Sequence, residues 1–312
     1  MTRWAVLTGE YPPQPGGVAD YTELVARALA ESGDRVTVFA PECPGSPSGA
    51  PVVDLVRLPG HFGPRGLSRL DAELHRTRPD RILIQYVPHA YGWKALNLPF
   101  AVWVAARATR VAPVWVMFHE VCVPFRWRPP ANAVLGSAHA VMARLVAGAA
   151  RRAFVSVPAW GDRLRRLCPR MVPAEWLPVP CNVGVHAPPT EVAATRAALA
   201  PGSGHRLIGH FGTFGAVVAD LLAPTAERVL RHLPDTRLIL LGRGAGGFGD
   251  RFGAGAPGLA ARVTAVGELP APAVAAHLRA CDLLVQPYPD GISCRRGSAM
   301  AGLANGVPLV SN

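Results

Sequence analysis

The last part of the chain combines residue types suited to binding an anion that also carries hydroxyl groups. In the stretch PYPDGISCRRGSAMAG, Asp290 and Gly291 follow an apolar segment at 282–287, and Arg295 and Arg296 come shortly afterwards. We expect a strand over the apolar segment and a helix near 294–305, with backbone N–H groups at the start of the helix pointing at a ligand. These amides belong to Gly291, Ile292, Ser293 and Cys294.

The side chains of this stretch suggest a division of roles. Asp290 would accept hydrogen bonds from ligand hydroxyls, and Arg295 or Arg296 would neutralise a diphosphate. The alternative is an Asx-type turn followed by two solvated arginines. A pair of arginines beside a glycine turn at the end of a strand favours the functional interpretation.

Three more glycine-rich loops follow strand-like segments, where bare backbone amides can approach an anion. Gly16 and Gly17 precede a helical segment, Gly212 lies in GHFGTFG, and Arg243 lies in LLGRGAGGFG. Each loop has the composition of a phosphate or diphosphate site, and each is also compatible with an ordinary turn. The first loop does not match GxGxxG, so a dinucleotide site is a poor fit there.

A second group of polar residues follows apolar strands in the first half of the chain. His119 and Glu120 end the segment VWVMFHE, while Gln85, Tyr86 and His89 lie at the end of the preceding strand. The side chains of His119 and Glu120 could orient or deprotonate a hydroxyl group. The alternative is a histidine that is hydrogen-bonded within the protein interior.

The elements that must position these residues alternate between strand and helix. Short segments that are apolar on both faces predict parallel strands covered by helices. The strands are expected at 4–8, 36–40, 81–86, 114–119, 153–157, 206–211, 237–242, 263–267, 282–287 and 308–312. Helices are expected within 18–34, with Gly33 as the C-terminal cap, near 216–232 and near 271–280.

The fold class is therefore α/β, with two Rossmann-like domains in series. The first domain is expected over residues 1–185 and the second over 206–312. Residues 186–205, rich in Pro, Gly and Ala, are expected to be mainly a connector with room for one short helix. Ligands of such sheets bind beyond the carboxyl ends of the strands, which is where the residues above lie.

Composition narrows the function classes. The 312 residues carry a formal net charge of +11, and this surplus attracts phosphates, anionic membranes or nucleic acid. A concentrated Lys/Arg stripe or nucleic-acid module is missing, so nucleic acid is not an expected partner. The six cysteines form no CxxC pair, and no metal site is expected. No signal peptide or spanning segment is recognisable, which indicates a cytoplasmic setting.

The basic, aromatic segment 123–154 suggests contact with an anionic bilayer or a lipid-linked acceptor, in which case the protein would be peripheral at the inner membrane face. Its cationic and aromatic residues are Phe125, Arg126, Trp127, Arg128, Arg151 and Arg152. The alternative is an ordinary covering helix with solvated ends.

Taken in order, several segments resemble the GT-B glycosyltransferases of family 4. They are YPPQPGGVADYTELVARALAESGDRVTVFAP, LILLGRGAG, VTAVGELPAPAVAAHLRACDLLVQPYPDG and MAGLANGVPLVSN. The resemblance implies transfer of a sugar from a nucleotide-diphosphate sugar to the hydroxyl of a sugar, lipid-linked or small-molecule acceptor. It also implies retention of configuration and no metal or other cofactor, in glycan or natural-product biosynthesis.

The same resemblance implies roles for individual residues. Gly16 and Gly17 would approach the diphosphate or the acceptor, His119 would lie near the donor sugar, and Asp290 would hold sugar hydroxyls. Ser298 stands where the family usually has a glutamate for the ribose. The arginine and lysine that usually follow the first strand of the donor domain are replaced in GHFGTFGAVVADLL, so Arg243, Arg295 and Arg296 would supply that charge.

The resemblance leaves two alternatives open. In this family the donor sheet normally continues past GVPLVSN, so we expect the second domain to be truncated at its C-terminus. Together with Ser298, this keeps open a catalytically weak GT-B protein that binds nucleotide sugar or assists a partner glycosyltransferase. A nucleotide-sugar epimerase of the same fold would need clustered acid/base carboxylates, and the sequence does not show such a cluster.

Overall fold

The computed structural model describes residues 1–14, 16–45, 53–88, 91–92, 96–121, 130–202, 204–289 and 291–312, without the side chains of residues 130–133. Predictions for Asp290, His89 and the aromatic and basic residues of 123–128 lie outside these ranges. The chain divides into two compact units, Met1–Val179 and Pro180–Asn312.

The first unit is built on a seven-stranded parallel sheet with the strand order β3-β2-β1-β4-β5-β6-β7. The strands are β1 (Arg3–Thr8), β2 (Arg35–Pro41), β3 (Asp54–Leu58), β4 (Arg81–Tyr86), β5 (Val114–Phe118), β6 (Arg152–Val155) and β7 (Ala174–Trp176). The helices are α1 (Gly17–Glu31), α2 (Pro64–Thr77), α3 (Leu98–Trp103), α4 (Thr109–Val111), α5 (Pro130–Ala149) and α6 (Pro158–Leu167). A π-helical turn at Val104–Ala108 joins α3 to α4.

The central strands of this sheet are buried on both faces, as their continuous apolar sequences predict. One face carries a core formed with α2, α3, α5 and α6, and the other carries a smaller core formed with α1. Gly33 ends α1 in the left-handed region with φ of 88°, which confirms the predicted glycine cap.

The second unit contains a five-stranded parallel sheet with the order β10-β9-β8-β11-β12. Its strands are β8 (Arg206–Phe211), β9 (Thr236–Leu241), β10 (Val263–Gly267), β11 (Leu283–Val285) and β12 (Leu309–Val310). Its helices are α7 (Pro189–Leu199), α8 (Ala216–His232), α9 (Ala245–Gly255), α10 (Ala271–Ala280) and α11 (Gly297–Ala304). A 3-10 helix covers Pro257–Arg262, and separate cores cover the two faces of the sheet.

The segment expected to be a connector, 186–205, contains the helix α7 within the second unit. Arg196 anchors this helix: its guanidinium donates to the carbonyl oxygens of Ala280 and His205 and pairs with Asp282 at 2.8 Å.

Each sheet has a position where the strand order changes direction, and the polar candidates gather at the carboxyl side of it. In the first unit this position lies between β1 and β4, and in the second it lies between β8 and β11. Open α/β sheets bind ligands in the crevice at such a switch point. The residues that follow these four strands are therefore the candidates for ligand binding.

Candidate functional site

At the switch point of the second unit, side chains connect the carboxyl ends of β8 and β11. His210 donates through Nδ1–H to the carbonyl oxygen of Val285 at 2.8 Å, and the Gln286 amide donates to the carbonyl oxygen of Phe211 at 3.1 Å. Burial lowers the pKa of His210 to about 4, so this imidazole is neutral at neutral pH. These contacts hold the rim of the crevice in a defined geometry.

Tyr288 lies next on this rim, at the amino end of α11. Its hydroxyl lies 2.9 Å from the Ser298 hydroxyl, and the Arg296 guanidinium carbon lies 4.8 Å from the centre of its ring. Burial raises the pKa of Tyr288 above its ordinary value. The hydrogen bonds with Ser298 and the Ala299 amide, and the charge of Arg296, act in the opposite direction. The first turn of α11 is therefore capped by a neutral phenol with a guanidinium stacked on it.

The helix begins at Gly297, three residues later than the sequence suggested. Gly291 instead donates its amide to the Tyr288 carbonyl oxygen at 3.1 Å, and Arg296 donates its amide to the Ser293 carbonyl oxygen at 3.0 Å. These two amides form hydrogen bonds within a turn. Gly291, whose amide was expected to point at a ligand, therefore uses that amide inside the protein. Ile292 is exposed, and Ser293, Arg295, Arg296 and Ser298 are half-buried beside the helix start.

The glycine loops after β8 and β9 lie against each other. Gly242 has φ of 106°, and a Cβ atom on it would overlap the carbonyl oxygen of Gly212. This close approach explains why glycine is needed there. Arg243 follows directly, but its Nε lies 2.6 Å from a carboxylate oxygen of Glu268, with both side chains more than half exposed. Its charge is thus shared with an acid in this structure, and its contact with a diphosphate stays a prediction.

In the first unit, His119 follows β5 and is only 7% exposed. Its Nε2 lies 2.9 Å from Oε1 of Gln85 at the end of β4, and its ring meets the edge of Tyr21 from α1 at 4.8 Å between centroids. Burial lowers its pKa to about 4. His119 is therefore a neutral, oriented imidazole, whereas Glu120, the next residue, is partly exposed.

The amino end of α1 is occupied by a side chain that the sequence did not single out. Oε1 of Glu10 accepts hydrogen bonds from the amides of Val18 at 2.9 Å and Ala19 at 3.1 Å. A Cβ atom on Gly16 would overlap this carboxylate, while one on Gly17 would meet nothing within 4 Å. Gly16 therefore makes room for an internal carboxylate at the helix end where an anionic ligand was expected.

Comparison with a family model shows what kind of protein carries this arrangement. Residues 16–181, more than half of the chain, match the model of the glycosyl transferase 4-like domain. The chain belongs to this family. No curated protein sequence matches the chain.

Solved structures with the GT-B glycosyltransferase fold match along the whole chain. Sucrose-phosphate synthase from Thermosynechococcus elongatus is 18% identical with a TM-score of 0.72, covering 100% of this chain and 81% of that one. HepE from Anabaena, in complex with UDP and glucose, is 15% identical with a TM-score of 0.67, covering 100% and 80%. WaaG, a glycosyltransferase involved in lipopolysaccharide biosynthesis, is 16% identical with a TM-score of 0.67, covering 99% and 80%. The predicted GT-B fold is confirmed.

This glycosyltransferase brings together some of its predicted site residues and leaves others apart. Arg296 and Ser298 meet at Tyr288, and Gly212 meets the loop that carries Arg243. Gly16 and His119 both belong to the first unit, where Glu10 and Tyr21 contact them. Among the described residues, no group of three or more His, Cys, Asp or Glu side chains is placed to hold a metal ion.

Two contributors to the site were missed in the sequence, Glu10 and Tyr288. The sequence signal for Glu10 is its position as an acidic residue between the end of a strand and the start of a helix. The loop between Glu10 and α1 makes the contact itself hard to predict. Tyr288 follows its strand by three residues and looks like a core residue in PYPDG. The described part of the glycosyltransferase contains no helix with the length and apolarity needed to span a membrane.

Proposed function

We propose that this glycosyltransferase moves a sugar from a nucleotide-diphosphate sugar to an acceptor hydroxyl, with retention of configuration and without a metal or other cofactor. The donor binds to the second unit and the acceptor to the first. The family supports glycosyl transfer, and the complex of HepE with UDP and glucose supports a nucleotide-sugar donor for this fold. The cytoplasmic location stays a prediction from the sequence.

The observation that carries the proposal is the charge at the switch point of the second unit. Arg295 and Arg296 lie immediately before α11, and the side chain that caps the first turn of this helix is a neutral phenol. Guanidinium groups and helix amides both favour an anion, and arginine matches the geometry of phosphate oxygens. A diphosphate leaving group is the anion that glycosyl transfer requires.

In the proposed reaction, the bond from the anomeric carbon to the diphosphate oxygen breaks while the acceptor oxygen bonds on the same face of the sugar. The acceptor proton moves to the departing diphosphate oxygen, so no protein nucleophile is required. The negative charge that develops on the diphosphate is stabilised by the arginines, which is the kind of contribution that dominates many enzymes. His119, neutral at physiological pH, acts as a hydrogen-bonding and positioning group for the donor sugar.

A second candidate is a protein that binds nucleotide sugar but catalyses transfer weakly. Two observations favour it: the Ser298 hydroxyl is already hydrogen-bonded to Tyr288, and Arg243 is paired with Glu268. A neutral serine also holds a ribose less strongly than a carboxylate does.

Calorimetric titration with a panel of nucleoside diphosphates, followed by transfer and hydrolysis assays with the matching sugar donors, tests both candidates. We expect one diphosphate to bind clearly better than the others and its sugar conjugates to be turned over. Binding without turnover across a broad acceptor panel supports the second candidate. No binding to any nucleoside diphosphate contradicts both.

A further inference from the structure

The outer surfaces of two helical segments in the first unit are unusually apolar. In the continuous segment from α3 to α4, the exposed residues include Leu98, Val102, Ala106 and Thr109, at spacings of three or four, beside the exposed arginines Arg107 and Arg110. In α5 the outward stripe consists of Val134, Ser137, Val141, Arg144 and Gly148. A helix on a water-exposed surface normally carries charged residues at such positions.

The aliphatic members of these stripes are substantially exposed. Leu98 is 45% exposed, Val102 49%, Val134 69% and Val141 47%. Single exposed aliphatic residues are ordinary, but several on neighbouring helices form a patch that needs an explanation.

The two stripes belong to one surface. The inward sides of both segments contribute to the same core on the same face of the sheet, through Phe100 and Val104 from one and Met142 and Val146 from the other. The segments also pack directly against each other. Their outward sides consequently face the same direction, and we call the combined area the α3–α5 surface.

The charges on the α3–α5 surface are of one sign. Residues 98–111 and 130–149 contain neither Asp nor Glu, and their charged residues are Arg107, Arg110 and Arg144. Arg107 pairs with Asp71 of α2, and Arg144 donates to the Leu167 carbonyl oxygen, whereas Arg110 is exposed. By contrast, the exposed side of α8 in the second unit carries Glu227 paired with Arg231.

We infer that the α3–α5 surface docks the protein on an anionic lipid bilayer. Aliphatic side chains enter the boundary between headgroups and acyl chains, and the arginines interact with anionic headgroups. A protein partner would have to match a surface whose two segments offer no carboxylate and few polar groups. An anionic surface repels acidic side chains, and neither segment contains one.

The α3–α5 surface overlaps segment 123–154, for which the sequence predicted a membrane contact, because α5 lies inside that segment. Arg152 belongs to β6, where it pairs with Glu175 at 2.7 Å and stacks on Trp115, a residue on the sheet face opposite to α5. Arg152 is therefore committed to contacts on the other face of the sheet. The aliphatic stripe of α5 narrows the predicted contact to one helix of the segment, and α3 adds aliphatic residues that lie outside it.

Sedimentation of the full chain with phosphatidylcholine vesicles, with and without phosphatidylglycerol, tests the inference in the absence of any sugar donor. We expect binding to the anionic vesicles only, decreasing with salt. A double variant, Val102→Glu with Val141→Glu, places carboxylates on both stripes and should weaken partitioning by at least about tenfold, while Arg110→Gln weakens it about fivefold.

Matched controls separate docking from general effects of charge and folding. Val217→Glu on α8, where Val217 is 58% exposed, and Arg228→Gln, also on α8, make the same changes on the second unit and should leave vesicle binding unaltered. Circular dichroism confirms that all variants fold. Equal binding of wild type and double variant, or no binding by the wild type, overturns the inference. A double variant that changes only the oligomeric state would show that a second copy of the chain covers this surface. Because the readout needs no turnover, these outcomes are independent of the proposed function.

Discussion

Helices α1 and α11 both begin beside a switch point, but the groups at their amino ends differ in charge. The amides of α1 are bonded to the carboxylate of Glu10. The first turn of α11 is capped by the Tyr288 phenol, with Arg296 stacked on its ring. Helix amino ends beside the two switch points are thus occupied by an acid in one unit and by neutral and cationic groups in the other, although α1 follows the first strand of its sheet and α11 the fourth.

The difference shows how one architecture can be divided between two substrates. A helix amino end attracts anions, and an internal carboxylate satisfies that attraction before a ligand arrives. The first unit is therefore unsuited to a diphosphate at α1 and better suited to a neutral hydroxyl. The second unit retains its attraction for an anion. This assignment depends on the proposed function and can be tested at each helix separately.

The largest expected effect comes from the cationic side of the comparison. Replacing Arg295 and Arg296 together by alanine should lower kcat by roughly 100-fold or more, because losing one such stabilising contact costs about 2.7–4 kcal/mol in the barrier. Steady-state kinetics with the donor identified by calorimetry measures this. Arg231→Ala on α8, which removes an exposed arginine paired with Glu227, is the control and should leave kcat unchanged. Undiminished turnover in the double variant would remove these arginines from the mechanism.

The sequence predicted most of the strands because burial on both faces leaves an unbroken apolar pattern. It missed β3 and β7, which lie at the two edges of the first sheet, where Asp54, Arg57 and Glu175 interrupt that pattern. It described 186–205 mainly as a connector with room for one short helix, and that helix is α7. No residue of that helix is fully buried, so it has no apolar stripe to recognise, and its anchor is the long-range bonding of Arg196.

The candidate site was predictable as a set of positions but not as a set of contacts. Polar residues after apolar strands had to meet at the carboxyl edge of each sheet, and His119 and Gln85 do so through the register of β4 and β5. The capping of α1 by Glu10 could not be predicted, because a side chain reaches amides eight and nine residues later. The start of α11 was also misplaced, since Arg295 and Arg296 suit a loop or a first turn equally well.

An intermediate effect is expected at the two glycines where α1 begins, Gly16 and Gly17. Gly16→Ala would force the Glu10 carboxylate away from the helix, because the added Cβ overlaps it. The loss of this cap should reduce the free energy of unfolding by about 0.5–2 kcal/mol. Gly17→Ala meets nothing within 4 Å and should be neutral or slightly stabilising. Urea denaturation of both variants measures the contrast, and equal stabilities would show that Glu10 does not serve as a cap.

The smallest expected effect tests whether the charge of Glu10, rather than its hydrogen bonds, distinguishes the two units. In Glu10→Gln the amide oxygen can still accept from Val18 and Ala19, so the free energy of unfolding at pH 7 should change by less than about 1 kcal/mol. Burial raises the pKa of Glu10 above its ordinary value of 4.5. Relative to the glutamine variant, the wild type should therefore be most stable below pH 4.5 and lose that advantage as pH rises through the raised pKa.

The Glu10→Gln variant also tests how the charge of Glu10 affects the binding of an anion at the amino end of α1. With the carboxylate neutralised, α1 should bind inorganic pyrophosphate on the order of tenfold more tightly at this position, seen in calorimetry as a weak second site beside that of the second unit. Arg295→Ala with Arg296→Ala should remove the tighter site and leave the weaker one. If Glu10→Gln leaves pyrophosphate binding unchanged, the carboxylate is only a helix cap. The preference of the two units for different substrates must then come from groups farther from the helix ends.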